Sequence, residues 1–418
     1  MSVAKTPPDR PPPAGATPKG TPPGDAAARP AEPLRVALFS GNYNYVMDGP
    51  VRALNMLVAH LERRGHAVRV FAPTVKEPAF EHAGTLISVP SIALPGSRSE
   101  YRLGLGLTPR SRRILDDFQP TLIHLSAPDY TGKTALDYAR RRRIPAVASF
   151  HTRFDTYPRY YGAPWLEGVL TGYMRRFYAR CEHVYPPSAS MAEELRRDGI
   201  GTDLRLWTRG VDADLFSPER RDPDWRRSLG FADDDVVTAF VGRLVLEKGV
   251  DIFAEAVQLA AAKNPAVKAL VVGDGPERAR FEQRLGKTGA FAGYLQGADL
   301  ARAYASADMF FNPSVTETFG NVTLEAMACG LPSVCAAASG SVSLVEDGVT
   351  GFLSANEDGA PGYADALGRI AGDATLRRGM SERARARSLS FDWTTILDAL
   401  IDNYRDAIAG YAHSTKNT

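Results

Sequence analysis

From residue 34 onward the sequence alternates short, continuously apolar segments with longer stretches whose apolar residues recur at helical spacing, and it runs through that alternation twice. Continuous apolar runs mark strands buried on both faces, and helices between them supply the crossovers that a parallel sheet requires. The pattern therefore predicts two doubly wound α/β domains, with a cleft between the carboxyl ends of their strands, where such sheets bind ligands. In the first set, Arg35-Val36-Ala37-Leu38-Phe39-Ser40 predicts a strand, 50–64 a helix, and 67–71, 86–89, 122–125, 146–149 and 183–185 further strands. Pro50 suits the first helical turn, where its missing N–H would be unpaired anyway, and Gly65 suits the helix end. The second set begins with a strand at 236–241 and a helix at 249–263. Strands at 267–272, 309–312 and 333–335 follow, and a final helix occupies 393–409.

The two sets join near 211–218, and 418 residues are too many for one ordinary core. Residues 1–33 carry ten prolines and almost no large apolar side chain, so they cannot offset their ordering entropy and are expected to form a disordered tail. The expected units are thus 1–33, a domain at 34–215, a second at 216–391, and a closing helical segment at 392–418. No apolar run reaches the roughly 20 residues of a spanning helix, and no basic-then-apolar leader precedes the first strand, so a cytoplasmic location is expected. Cys181, Cys329 and Cys335 lack paired metal spacing and support neither a disulfide framework nor a zinc site.

The net charge of +2 conceals an asymmetry. Residues 34–215 hold 25 Lys and Arg against 18 Asp and Glu, whereas 216–418 hold 21 against 27. Basic clusters at Arg110, Arg112 and Arg113, at 140–143, and at Arg175 and Arg176 suit nucleic acid, an anionic membrane surface or an acidic substrate, or they are solvated helix faces. They lack the interleaved aromatic residues on which unpaired bases stack, so a nucleic-acid module is disfavoured.

Chemistry concentrates in the second set. Glu317-Thr-Phe-Gly-Asn-Val-Thr-Leu-Glu325 places two carboxylates eight positions apart across a loop-to-helix junction. The predicted helix start aims the amides of Asn321 and Val322 at an anion, with Glu317 ahead of the helix and Glu325 about one turn inside it. One carboxylate can accept hydrogen bonds from sugar hydroxyls and the other from a ribose, although acidic residues around helix starts are also common without function. Gly242-Arg243-Leu-Val-Leu-Glu247-Lys248-Gly249 follows the first strand of this set. A rigid guanidinium fork and a mobile ammonium there suit a diphosphate leaving group whose charge grows as a glycosidic bond breaks, where a metal would otherwise be needed. Gly273-Asp274-Gly275-Pro276 marks another loop at the cleft rim, and Phe291-Ala-Gly293-Tyr-Leu295 is either an ordinary strand or a source of backbone and apolar contacts to a base.

Three tempting motifs fail. Gly132-Lys133-Thr134 resembles the end of a phosphate loop, but Ala127 stands where that motif needs glycine. Asp233-Asp234-Asp235 precedes a strand and so belongs opposite the cleft, and Gly104-Leu-Gly106 lacks a following small residue at the required offset.

In their order, Gly242-Arg243…Glu247-Lys248-Gly249, Gly273-Asp-Gly-Pro276 and Glu317-x7-Glu325 with the ensuing Ala-Met-Ala-Cys-Gly-Leu-Pro resemble glycosyltransferase family 4, a family of the GT-B fold, which has two Rossmann-like domains. The resemblance covers nearly everything after the tail. It implies a retaining, metal-independent transfer assisted by the donor's own phosphate, no cofactor beyond the nucleotide diphosphate sugar, and a final helix that returns to the N-terminal domain. It assigns Arg243 and Lys248 to the donor diphosphate, at which the helix-start amides of Asn321 and Val322 are also expected to point, Glu317 to the donor sugar and Glu325 to the ribose. Leu295 is a candidate apolar contact to the base, and His151 and Glu317 are the candidate catalytic residues. His151 matches the family histidine near the transferred sugar, and Asp48-Gly49-Pro50 matches the glycine loop that meets the diphosphate from the N-terminal side, with Pro50 where a second glycine is usual. His151-Thr-Arg-Phe-Asp-Thr-Tyr-Pro-Arg-Tyr-Tyr161 and Leu206-Trp-Thr-Arg-Gly210-Val-Asp212 resemble the branch containing sulfoquinovosyl diacylglycerol synthases and bacterial lipid mannosyltransferases. That branch implies transfer of a hexose or hexuronic acid, from a UDP-sugar, to a membrane lipid such as diacylglycerol, with the basic half resting on an anionic inner leaflet. Glycan assembly by a mannosyl- or glucosyltransferase and sugar-nucleotide binding without transfer are the alternatives.

Overall fold

The computed structural model describes residues 32–94, 101–151, 153, 164–355 and 358–416. The expected Pro-rich tail, apart from Glu32 and Pro33, and most of the 151–161 stretch lie outside the described residues.

Two six-stranded parallel sheets organise the unit Leu34–Thr418. In the first, β1 (Arg35–Phe39) is followed by β2 (Ala67–Ala72) and β3 (Thr85–Ser88). The chain then forms a small separate antiparallel pair, β4 (Ser91–Ala93) with β5 (Arg102–Gly104), before returning to the sheet as β6 (Leu122–Leu125), β7 (Ala146–Ser149) and β8 (Val184–Tyr185). The strand order is β3-β2-β1-β6-β7-β8, with Val36 of β1 opposite Val68 on one side and Leu122 on the other. The second sheet contains β9 (Val236–Val241), β10 (Val267–Val272), β11 (Gly289–Gly293), β12 (Met309–Asn312), β13 (Ser333–Ala336) and β14 (Gly351–Ser354), in the order β11-β10-β9-β12-β13-β14. Each sheet reverses its winding direction beside its first strand, so the loops after β1 and β9 leave at topological switch points.

The continuous apolar strands explain why so much of the fold follows from pattern: β6, β7 and β12 are buried at every residue. Two elements do not follow from it. The β4–β5 pair is too short and too polar to carry a period, and β14, which starts on glycine, is not among the predicted strands. Gly351 is required there because a Cβ would lie 1.9 Å from the Ser333 carbonyl oxygen.

Helix Trp393–Lys416 sends Leu397, Leu400, Ile401 and Tyr404 into the core formed by Leu54, Leu57, Val58 and Leu61 of helix Gly49–Arg63 and by Trp207. Each such apolar side chain contributes about 2 kcal/mol when fully buried, so the end of the chain is held to the first sheet. At the chain's passage from one half to the other, a Cβ on Gly210 would strike the Trp393 ring at 2.6 Å. Among the described residues no helix is long and apolar enough to cross a membrane.

Candidate active site

A cleft of about 850 Å³ opens between the two sheets, and Gly49, His151, Arg243, Lys248, Leu295, Glu317, Asn321, Val322 and Glu325 all border it. These nine candidate site residues are therefore brought to one cavity, although the segments that carry them span most of the chain.

The C-terminal face is built on tight loops. Gly273 adopts φ +136°, and a Cβ there would lie 1.9 Å from the Gly242 carbonyl oxygen, so the loops after β9 and β10 meet backbone to backbone. The Leu244 amide donates to the Asp274 carbonyl at 2.9 Å, which fixes the Arg243 loop against the Gly273-Asp-Gly-Pro276 turn. Gly249, in the left-handed region at φ +72°, starts helix Val250–Lys263 and leaves Lys248 at its mouth. Lys248 Nζ donates to Glu317 Oε1 at 2.5 Å, so the ammonium and the carboxylate hold each other at the cleft wall.

Helix Asn321–Ala328 starts on Gly320, at φ +97°, with no side-chain cap, so its first amides face the cleft at the positive end of the helix. Glu325 lies one turn further in and is buried. Arg52 Nη1 donates to Glu325 Oε1 at 2.6 Å, and the Tyr304 hydroxyl donates to Oε2 at 3.3 Å. Burial pushes the Glu325 carboxyl above the usual carboxylate range, opposed by Arg52 and Tyr304.

On the N-terminal face, the Asp48 carboxylate caps helix Gly49–Arg63 by accepting from the Val51 amide at 2.9 Å, and Pro50 occupies its first turn. Burial raises the Asp48 carboxyl too. The glycine at 49 has a direct cause: a Cβ would lie 2.6 Å from Asn321 Nδ2. The starts of helices Gly49–Arg63 and Asn321–Ala328 thus face each other across the cleft, joined by that approach and by the Arg52–Glu325 ion pair.

His151 sits differently from a free catalytic base, because both its ring nitrogens are taken. Arg209 Nη2 donates to Nδ1 at 2.7 Å, which leaves the proton on Nε2, directed to Ser149 Oγ at 2.8 Å. The Ser149 hydroxyl then donates to His124 Nε2 at 3.1 Å, and His124 Nδ1 donates to the Tyr404 hydroxyl on the last helix. Burial pulls His151 well below its ordinary pKa, with Arg209 and His124 adding to the shift, and burial takes His124 down to about 3. A neutral imidazole is therefore locked in one tautomer. Its backbone carbonyl accepts from Thr318 Oγ1 at 3.1 Å, which connects it to the residue after Glu317.

Some cleft residues have no individual role in the sequence reading. Arg52 is hidden in an amphipathic helix, Tyr294 follows β11 and is 67% exposed beside Leu295, and Arg209 lies inside a motif used for the family resemblance without a role of its own. The rejected motifs remain outside the cleft lining: Asp129 caps helix Tyr130–Arg142 where Gly132 lies, and Asp233 pairs with Arg227 at 2.8 Å ahead of β9. Among the described residues no group of three or more His, Cys, Asp or Glu is placed to hold a metal ion.

Two parallel-sheet domains around a cleft whose lining combines basic loops, helix starts and paired carboxylates define a glycosyltransferase of the GT-B class. The solved structure of sucrose-phosphate synthase (tll1590) from Thermosynechococcus elongatus has this fold, with a TM-score of 0.73 at 23% identity, covering 90% of this chain and 100% of that one. The chain belongs to glycosyltransferase family 4: residues 47–215 match the Glycosyltransferase Family 4 model and 235–373 match Glycosyl transferases group 1. It is 32% identical to a GDP-mannose-dependent alpha-mannosyltransferase of Mycobacterium tuberculosis over 90% of this chain and 97% of the relative. It is 30% identical to sulfoquinovosyl transferase SQD2 of Arabidopsis thaliana (87% and 72%), and 26% identical to alpha-monoglucosyldiacylglycerol synthase of Acholeplasma laidlawii (78% and 86%).

Proposed function

We propose that the protein transfers a hexose or hexuronic acid from a UDP-sugar to a membrane lipid acceptor such as diacylglycerol, with retention of anomeric configuration and without a metal. The observation that carries this reading is the C-terminal wall of the cleft, where Lys248 and Glu317 are 2.5 Å apart beside Arg243 and an uncapped helix start. In this reading Arg243, Lys248 and the amides of Asn321 and Val322 hold the donor diphosphate, with Gly49 closing on it from the other side. Glu317 orients the sugar, Leu295 borders the base, and Glu325 accepts from the ribose after Arg52 yields one oxygen. As the anomeric C–O bond breaks, its electrons pass to the diphosphate, whose growing charge the two cations stabilise. The acceptor oxygen bonds to the anomeric carbon from the same face, and its proton passes to a departing phosphate oxygen. His151 holds its place through Arg209 and Ser149 and acts as a neutral polar wall.

Residues 34–215 form the acceptor side, 216–391 the donor side, and 392–418 the return to the first domain. The relative named for a diacylglycerol product supports a lipid acceptor, and the basic N-terminal half supplies a reason for peripheral attachment at the cytoplasmic membrane face, since each Lys or Arg near an anionic leaflet contributes about 1 kcal/mol. The mycobacterial relative favours a second reading, transfer of mannose from GDP-mannose.

The test is a donor and acceptor panel in EDTA, with the anomeric configuration of the product read by NMR. A lipid product with the donor's configuration, formed undiminished in EDTA, is expected. Turnover with soluble sugars but with no lipid would overturn the acceptor, and an inverted product the mechanism.

A further inference from the structure

We propose that Arg52 is a diphosphate-binding residue held in reserve: its guanidinium pairs with Glu325 and passes to the donor's phosphates when a ribose takes that carboxylate. The inference rests on the donor reading proposed for this cleft and adds to it a cation from the N-terminal wall.

Two helices meet start to start across the cleft, and their contacts form two levels. At the first, Gly49 opens helix Gly49–Arg63 and Asn321 opens helix Asn321–Ala328, so close that a Cβ on Gly49 would lie 2.6 Å from Asn321 Nδ2. At the second, Arg52 and Glu325 stand three and four positions further along, on the same faces as Gly49 and Asn321, and pair at 2.6 Å. One helical turn, about 5.4 Å, separates the levels. An arginine carries its planar fork on a long flexible stem, so a guanidinium seated at the second level reaches the first by a change of rotamer.

The two members of the pair are held unequally. The Glu325 side chain is 9% exposed, and its other oxygen accepts from the buried Tyr304 hydroxyl, whereas the Arg52 side chain is 40% exposed and borders the cleft. The carboxylate is therefore the anchored partner and the guanidinium the movable one. A ribose hydroxyl donating to Glu325 Oε1 takes the acceptor that Arg52 Nη1 uses, and the displaced fork is left one turn from two helix starts that face the same diphosphate. Phosphate oxygens accept from such a fork in the bidentate manner that suits a guanidinium.

Charge decides when the contact matters most. Lys248 is engaged with Glu317 on the opposite wall. As the anomeric C–O bond breaks, its electron pair passes to the diphosphate, and the added charge persists until the acceptor's proton reaches a phosphate oxygen. A guanidinium released from Glu325 then joins Arg243 and Lys248, so Arg52 favours the departing diphosphate over the intact donor.

Full-length protein is titrated with UDP and GDP by calorimetry and with uridine and guanosine by ligand-observed NMR, and the variants are compared on the pair whose diphosphate binds wild type. Arg52→Met is expected to weaken the diphosphate by at least about tenfold. The nucleoside is expected to bind as well as to wild type or better, because Glu325 is freed for the ribose. Arg52→Lys, which keeps the charge and loses the fork, is expected to fall between. Since Arg52→Met leaves Glu325 without its cation, the comparison is repeated in Glu325→Gln, where adding Arg52→Met is expected to weaken the diphosphate by a similar factor and leave the nucleoside unchanged. Diphosphate affinity that is unchanged or raised in Arg52→Met would overturn the proposal and leave Arg52 a latch on Glu325. An equal loss of nucleoside and diphosphate would overturn it too, reducing Arg52 to a structural tie between the walls. Failure of wild type to bind either diphosphate, or nucleoside affinity indifferent to Glu325→Gln, would instead remove the donor reading beneath it.

Discussion

The two walls of the cleft solve the problem of buried charge in opposite ways. On the C-terminal wall the charges come in pairs: Lys248 with Glu317, and Glu325 with Arg52 reaching over from the other side. On the N-terminal wall, Arg209 lacks an acidic partner among the described residues, and the polar groups behind it, from His151 through Ser149 and His124 to Tyr404, are neutral and carry their bonds into the core. Paired charges can be parted and reused as a ligand enters, so that wall is suited to chemistry. A neutral chain anchored on the last helix takes up charge only well below the ordinary imidazole range, so that wall is suited to shape and discrimination.

The difference can be broken most directly at Glu317. Glu317→Gln removes the anion proposed to orient the sugar and releases Lys248, and kcat is expected to fall about 100-fold or more, some 3 kcal/mol of transition-state stabilisation. Loss of donor affinity with kcat preserved would return Glu317 to a plain structural partner of Lys248. The crossing between the walls is tested next. Gly49→Ala places a methyl 2.6 Å from Asn321 Nδ2, and donor affinity is expected to fall about tenfold, or about 1.4 kcal/mol. Asn321→Ala in that background is expected to restore part of it by removing the obstruction, and a strictly additive double variant would contradict the contact.

The neutral chain makes a smaller, pH-dependent prediction. His124 titrates near 3 in the fold and near 6.5 once unfolded, so the unfolded chain gains a proton first as pH falls. Its contribution to stability is therefore complete above 6.5 and is lost as pH falls through the window down to about 3. Denaturant unfolding of wild type against His124→Gln should show wild type losing about 1 kcal/mol relative to the variant between pH 7 and 5.5, and parallel curves would refute the buried neutral ring. The same sign applies to His151, so no loss of activity with an imidazole midpoint near 6.5 is expected. The smallest effect belongs to Glu325. Its carboxyl is raised by burial, so the ionised form proposed to accept from a ribose begins to be lost at a higher pH than for an exposed glutamate. Donor KM is expected to rise as pH is lowered toward the raised Glu325 range, and to lose that dependence in Glu325→Gln.

Legibility in the sequence divides along the same line as the walls. β9, β10 and β12 and the loops after them are local: each motif contains a strand end, a glycine and its charged residue within a few positions, so period and composition suffice. β6 and β7 are equally legible because burial on both faces leaves a continuous apolar run. The pair β4 and β5 escapes because three residues carry no period, and one of its partners, Arg102, is polar. Of the site, Lys248 and Glu317 stand out as residue types at a strand end and a helix start, although nothing in a sequence says that they touch. Arg52 and Arg209 are invisible in principle: their partners, Glu325 at 273 positions and His151 at 58, are reached only after folding. His151 is legible by resemblance, yet the engagement of both its ring nitrogens depends on Arg209 and Ser149.

The central claim is that the paired wall holds a nucleotide diphosphate without a metal. Calorimetric titration of wild type and Lys248→Ala with UDP and with GDP, each in excess EDTA, tests it in one experiment. The account predicts that one of the two nucleotides binds wild type with unchanged affinity in EDTA and binds Lys248→Ala at least 30-fold more weakly, about 2 kcal/mol. Binding that vanishes in EDTA, or that is indifferent to Lys248, would contradict it.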